Sequence, residues 1–335
     1  LVTGQEMIRG QVALRQMGIG RIPVVNVENA CASSATAFQQ AAAMVTAGLY
    51  DVVLACGSEK LFHEDKARSF GAFTSAVDVE DPRGVISIVQ RMAAEIGEPF
   101  DVATAGANRS IFMDIYALMA RKHMQRYGST REHFAMVAAK NSFHGSMNPR
   151  AQFRDVMTVE EVLAARTVVE PLTLPMCSPI GDGAAAVVLV SERKARELGL
   201  AHRVKVVASA LVSGWDMSGP DESVGGFAAA QAYESAGIGP EDIDVVELHD
   251  CFTANELITY EALGLTPEGT AEKFIADGDN TYGGRYVTNP SGGLLSKGHP
   301  IGATGLAQCA ELVWHLRGAA GARPVEKAPP ALQYQ

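Results

Sequence analysis

The chain has 335 residues, 47% of them apolar, 20% charged and 7% aromatic, a balance that excludes disordered and fibrous proteins and fits an ordinary globular one. Single cores stop growing at roughly 250 to 300 residues, so division into two or three units is expected. The formal net charge of −10 speaks against nucleic acid as a partner, because that association depends on Lys and Arg neutralising phosphates.

Residues 22–27, Ile-Pro-Val-Val-Asn-Val, read as a buried strand, and 32–47 as a helix of small residues that lets neighbouring backbones approach, ended by Gly48. Residues 51–57 read as a second buried strand, giving a β-α-β rhythm and a parallel or mixed sheet covered by helices. From 61 to 175 helical patterns take over, including 108–127 and a helix announced by a capping box at Ser129 and Glu132. This stretch is expected to be a helical insertion. The strand pattern returns at 183–190, and 204–212 is expected to begin a second α/β half. A weak repeat supports two related halves: a helix ending at Met17-Gly18 precedes the one at 32–47, and a helix ending at Leu263-Gly264 precedes one at 303–316.

Apolar runs such as 184–190 are far shorter than the ~20 residues of a membrane span. No basic-then-apolar leader precedes Leu1, so a cytoplasmic protein is the expectation. Five cysteines without framework spacing read as reduced thiols. Between Val102 and Arg154 eight basic residues face two acidic ones, which makes a local anion site conceivable against the ordinary reading of solvated helix faces.

Three segments could carry chemistry. Asn29-Ala-Cys31-Ala-Ser-Ser places a cysteine where a strand turns into a helix, and free N–H groups with the macrodipole stabilise a thiolate there; a small residue packed at a helix start is the plainer alternative. His249-Asp250-Cys251-Phe252 delivers an imidazole and a thiol at a second strand-to-helix junction. A metal site is not expected, for want of further ligands at suitable spacing. Residues 289–305 are glycine-dense, and Gly298, Gly302 and Gly305 would let backbone approach a ligand or cofactor closely. The segment lacks the Lys-Ser/Thr ending of a P-loop and the spacing of a dinucleotide fingerprint, which leaves His299, fixed between Gly298 and Pro300, as its informative residue. Cys56, Cys177 and Cys309 are expected to be core filler, and His63, His123, His133, His144, His202 and His315 surface or packing residues.

Together, Asn-Ala-Cys-Ala-Ser-Ser at 29–34, His-Asp-Cys-Phe at 249–252 and Gly-His-Pro-Ile-Gly-Ala-Thr-Gly at 298–305 resemble the thiolase superfamily, and the second motif resembles its sterol-carrier-protein-type branch. The resemblance runs over nearly the whole chain. It implies an α/β thiolase fold, two similar halves in a layered αβαβα core: 1–60 with 176–200 as the N-terminal half, 61–175 as an inserted helical loop domain and 201–335 as the C-terminal half. Measured against the family, the terminal strands and a glycine turn that supplies one oxyanion donor would lie outside the sequence.

The resemblance further implies that Cys31 becomes acylated, His299 accepts its proton, Cys251 is the second acid/base, and His249 with His299 forms an oxyanion hole. Coenzyme A would be a substrate, with no permanently bound cofactor and no metal. The implied activity is thiolysis of 3-ketoacyl-CoA or the reverse Claisen condensation, in a homodimer or tetramer. Two alternatives remain: a catalytic subunit beside a small OB-fold partner, and a catalytically weak acyl-CoA or lipid binder.

Overall fold

In the computed structural model the described residues are 7–102, 105–106, 109–201, 203–214, 223–325 and 330–335. The first part holds α1 (Arg9–Gln16), α2 (Ser33–Thr46), β1 (Val52–Glu59), α3 (Lys66–Ala72), α4 (Pro82–Glu95), α5 (Ile111–Tyr127), α6 (Arg131–Ser146), α7 (Val159–Ala164), β2 (Thr167–Val169), β3 (Leu172–Thr173), β4 (Gly183–Val190) and α8 (Glu192–Glu197). The second holds α9 (Val224–Ala236), β5 (Val245–Glu247), α10 (Thr253–Ala262), α11 (Ala271–Ala276), β6 (Val287–Thr288), α12 (Gly293–Ser296), α13 (Thr304–Leu316) and β7 (Ala331–Gln333).

β1 and β4 form an antiparallel ladder with Leu54 opposite Val188, while β5 lies between β6 and β7 in a parallel one. α13 packs on both ladders and crosses α2, so these two helices form the layer between the sheets. The crossing is close because its residues are small. A Cβ on Gly305 would stand 2.8 Å from the Ala35 nitrogen, and beside the crossing, on β1, one on Gly57 would stand 2.7 Å from Ser34 Cβ. Leu306 N–H donates to Ser34 Oγ at 3.1 Å, locking the first turns of the two helices together. This crossing brings the residues just before each helix, 31 and 299, to one place.

α5, α6 and α7 share a core with the second half: Ala117, Phe134, Val137 and Val162 pack with Val246, Leu257 and Tyr260. Beneath it lies a buried polar knot in which Lys140 Nζ reaches Glu256 Oε1 at 2.5 Å and Thr288 Oγ1 at 2.9 Å.

Several local expectations are corrected. Residues 22–27 are not in a ladder; Asn26 instead binds Gly10 N–H and the Gln11 side chain, tying the segment to α1. Residues 204–212 likewise carry no strand pairing among the described residues. Periodicity marks both as suited to a sheet, but a strand exists only where a neighbour accepts its hydrogen bonds. The capping box lies one residue later than expected, with Thr130 and His133 as the reciprocal pair. Cys56 is exposed on the uncovered face of β1, not core filler, whereas Cys177 and Cys309 are buried.

Candidate active site

Cys31 sits in a 3-10 turn (Ala30–Ala32) that opens α2. Ala30 has φ 44°, a left-handed conformation uncommon for a residue with a Cβ. The turn is held by Ser33 Oγ, which accepts from Asn29 N–H and donates to the Ala30 carbonyl, both at 2.8 Å. The helix start was expected to favour a thiolate. Burial outweighs that pull: it pushes the Cys31 thiol up to about 11, against the lowering by a backbone N–H and with a further rise from Glu59. That direction favours the neutral thiol as the resting form, on a residue that is itself part-buried.

His299 Nδ1 lies 2.8 Å from Thr304 Oγ1, which donates its one hydrogen to the Pro300 carbonyl at 3.0 Å. With that hydrogen on the Pro300 carbonyl, Thr304 accepts from the ring, an arrangement that puts the proton on Nδ1 and leaves Nε2 its lone pair. Burial, followed by the nearby His249 and Lys297, holds this imidazole well below the ordinary histidine value, hence neutral. In this arrangement the ring carries a lone pair that can accept a proton.

His249 follows β5 and has the opposite tautomer. The Gln335 Nε2 group reaches its Nδ1 at 2.7 Å and the Cys31 carbonyl at 2.9 Å. A carbonyl needs a donor, so the amide nitrogen faces this pair; Nδ1 accepts, and the ring proton is on Nε2. Burial lowers His249 to about 4. The two rings stand edge to face with centroids 5.2 Å apart. One neutral imidazole thus offers a lone pair and the other an N–H.

Cys251, two residues beyond His249, is buried, and its carbonyl accepts from Ser178 N–H at 2.9 Å. Burial raises its thiol well above the ordinary range; Tyr116 hydrogen-bonds to it, and it lies within electrostatic reach of Cys31. The Tyr116 ring stacks on Phe252 at 4.4 Å. Asp250 turns away to accept from Leu294 N–H at 2.7 Å and Asn141 Nδ2 at 2.9 Å, anchoring α12.

Cys31 Sγ and one ring nitrogen each of His249 and His299 all lie within 4.8 Å of one another. The structure therefore assembles three metal-capable atoms that sequence spacing did not anticipate. Each of the three glycines makes a close chain contact: Gly305 meets Ala35, Gly302 meets Ser58, and Gly298, at φ 106°, abuts Gln152. Of the eight basic residues, six pair with carboxylates: Arg109 with Asp114, Arg121 with Glu98, Lys122 with Glu95, Arg126 with Glu268, Arg131 with Glu170 and Lys140 with Glu256. Arg150 stacks over Trp314. A cavity of about 690 Å³ lined by Arg150, Lys297, Gly298 and Pro300 includes none of Cys31, His249, Cys251 and His299.

Among the remaining histidines, His123, His144 and His315 are buried and hydrogen-bonded, and His202 lies outside the described residues. Sequence reasoning missed Thr304, Gln335 and Tyr116. Only Thr304 left a signal, being part of the 298–305 motif, whereas Gln335 reaches the site because β7 pairs with β5.

Family models described as "Thiolase, N-terminal domain" and "Thiolase C-terminal domain-like" match residues 2–193 and 219–335. The chain is 43% identical over 337 residues to sterol carrier protein 2 of Bos taurus, covering 97% of this chain and 59% of that protein. It is 41% identical to an acetyl-CoA acetyltransferase of Methanothermobacter thermautotrophicus, covering 97% and 79% respectively. The solved structure of the "Ltp2-ChsH2(DUF35) aldolase" is similar with a TM-score of 0.67 at 26% identity, covering 96% of this chain and 78% of that one. The chain thus spans about three fifths of the length of the sterol carrier relative.

Proposed function

Because the chain belongs to the thiolase family, we propose that it transfers acyl groups between coenzyme A thioesters through an acyl-Cys31 intermediate. The observation that carries this reading is the meeting of the Cys31 thiol with two neutral imidazoles in opposite tautomers. In thiolysis, Cys31 Sγ attacks the 3-keto carbonyl as its proton passes to His299 Nε2. The C2–C3 bond then breaks, leaving the acyl group on sulfur and an enolate of acetyl-CoA or propanoyl-CoA. Its thioester oxygen is held by His249 Nε2–H and by the newly protonated His299. Cys251 gives its proton to C2; the thiol of a second CoA then passes its proton to the Cys251 thiolate and takes the acyl group, and the leaving Cys31 sulfur regains its proton from His299. The same steps in reverse form the carbon–carbon bond.

A neutral thiol and a neutral imidazole suit this scheme, since charge develops only as substrate reacts. Incubation with a 3-ketoacyl-CoA should add one acyl mass to the peptide containing Cys31. An unmodified peptide from folded protein, or equal thiolysis by native protein and Cys31→Ala, would favour the acyl-CoA or lipid binder instead.

A second reading is favoured by the structural relative, which is an assembly that includes a DUF35 component: the chain would be the catalytic subunit beside a small OB-fold partner that helps hold CoA. Co-purification from the source organism tests it. A second copy of the chain is also expected, and the apolar, uncovered face of the β1–β4 ladder, with Leu54 and Val188 more than half exposed, supports cover by another chain.

A further inference from the structure

Cys31, His249 and His299 come from positions more than two hundred residues apart in the first case and fifty in the second, yet their ligand atoms converge within 4.8 Å. We propose that these three side chains also form a binding site for a thiophilic divalent cation, with Zn²⁺ as the prime occupant, and that the bound ion blocks Cys31. One sulfur and two imidazole nitrogens are the donor set that zinc selects, with a fourth position left for water. Zinc sits about 2.3 Å from sulfur and about 2.0–2.1 Å from imidazole nitrogen, so tetrahedral ligand atoms stand roughly 3.3–3.6 Å apart. From the 4.8 Å bound the trio must contract by up to about 1.2–1.5 Å to hold the ion.

The outer shell is partly in place. A metal-bound histidine donates its other ring N–H to an oxygen, and His299 Nδ1–H already does so to Thr304 Oγ1. His299 Nε2 is therefore a preset ligand. His249 needs one change: its free Nε2 carries the proton while Gln335 donates to Nδ1. Gln335 Oε1 has no hydrogen-bond partner, and a half-turn of the amide would present it to Nδ1–H, moving the lone pair to Nε2 at the expense of the bond to the Cys31 carbonyl. On binding, the Cys31 S–H bond breaks, a Zn–S bond forms, and one proton leaves to solvent. The binding step rests on geometry alone, and only the loss of activity rests on the acyl-transfer reading.

The test is titration of the native, metal-free chain with Co²⁺, followed by competition with Zn²⁺. A thiolate-to-cobalt charge-transfer band at one equivalent, displaced by Zn²⁺, with protection of Cys31 from iodoacetamide, is the expected result. Cys31→Ser should lose the band and bind Zn²⁺ at least ~100-fold more weakly, and Thr304→Val should weaken it about 10- to 100-fold. Absence of the band in native protein, or Zn²⁺ affinity in folded Cys31→Ser within threefold of native, would overturn the proposal. The native cobalt spectrum decides even where a variant fails to fold. If the chain proves inactive as a thiolase, the spectrum and the protection still stand or fall by themselves.

Discussion

Replacement of Thr304 by Val tests the fixed tautomer of His299. The side chains have nearly the same shape, and Thr304 is fully buried, so the change removes two hydrogen bonds: His299 Nδ1–H to Oγ1 at 2.8 Å and Oγ1–H to the Pro300 carbonyl at 3.0 Å. A buried donor left without a partner costs about 1–3 kcal/mol. The ring can escape part of that penalty by moving its proton to Nε2, the form that cannot accept from Cys31. If ~1–2 kcal/mol separates the tautomers after substitution, formation of acyl-Cys31 slows about 5- to 30-fold. Rapid quenching followed by mass spectrometry of the Cys31 peptide measures this step directly. KM should change little, and Thr304→Ser, which keeps the hydroxyl, should stay close to native. Acylation by folded Thr304→Val at the native rate would refute the idea that Thr304 sets the base.

Four other outcomes rest on the same geometry. With the Cys31 thiol pushed up to about 11, its alkylation by iodoacetamide should climb about tenfold per pH unit from 7 to 10; a plateau near neutrality would reveal a thiolate–imidazolium pair instead. Because His299 is held below 6.5 and His249 near about 4, lowering the pH through 6.5 should leave both rings neutral, and the acid limb of kcat/KM should appear only at lower pH. Gly305→Ala would put a Cβ 2.8 Å from the Ala35 nitrogen, prising α13 from α2 at a cost of about 1–3 kcal/mol; thermal unfolding and kcat should fall together. Lys140→Met would leave the fully buried Glu256 carboxylate without its cation, so denaturant unfolding should register a loss of about 3–5 kcal/mol.

The sequence alone located the main elements and the residues that meet. Apolar runs and small-residue periodicity marked β1, β4, α2, α10 and α13 to within a residue or two, because buried strands and close-packed helices restrict composition locally. Residues 31, 249, 251 and 299 stood out because each lies at an element boundary, where backbone N–H groups and turns expose a side chain. Pairing was not legible in the same way. Residues 22–27 have the composition of a strand but bind α1 through Asn26, and Cys56 lies on a sheet face that this chain leaves uncovered. The partners of the basic residues were not legible for a related reason: apart from Arg109, which meets Asp114 nearby, the paired ones find carboxylates outside their own stretch, at 95, 98, 170, 256 and 268.

Only the tertiary structure decided the protonation chemistry. The helix start at Cys31 is a local feature and predicts a lowered thiol; burial by distant elements reverses it. The two histidine tautomers depend on Thr304, five residues from His299, and on Gln335, brought in by the β5–β7 ladder. Local periodicity identifies which groups reach the site, whereas a proton's position depends on the partner each nitrogen finds and on how much water is excluded, and both are set by chain segments far apart in sequence.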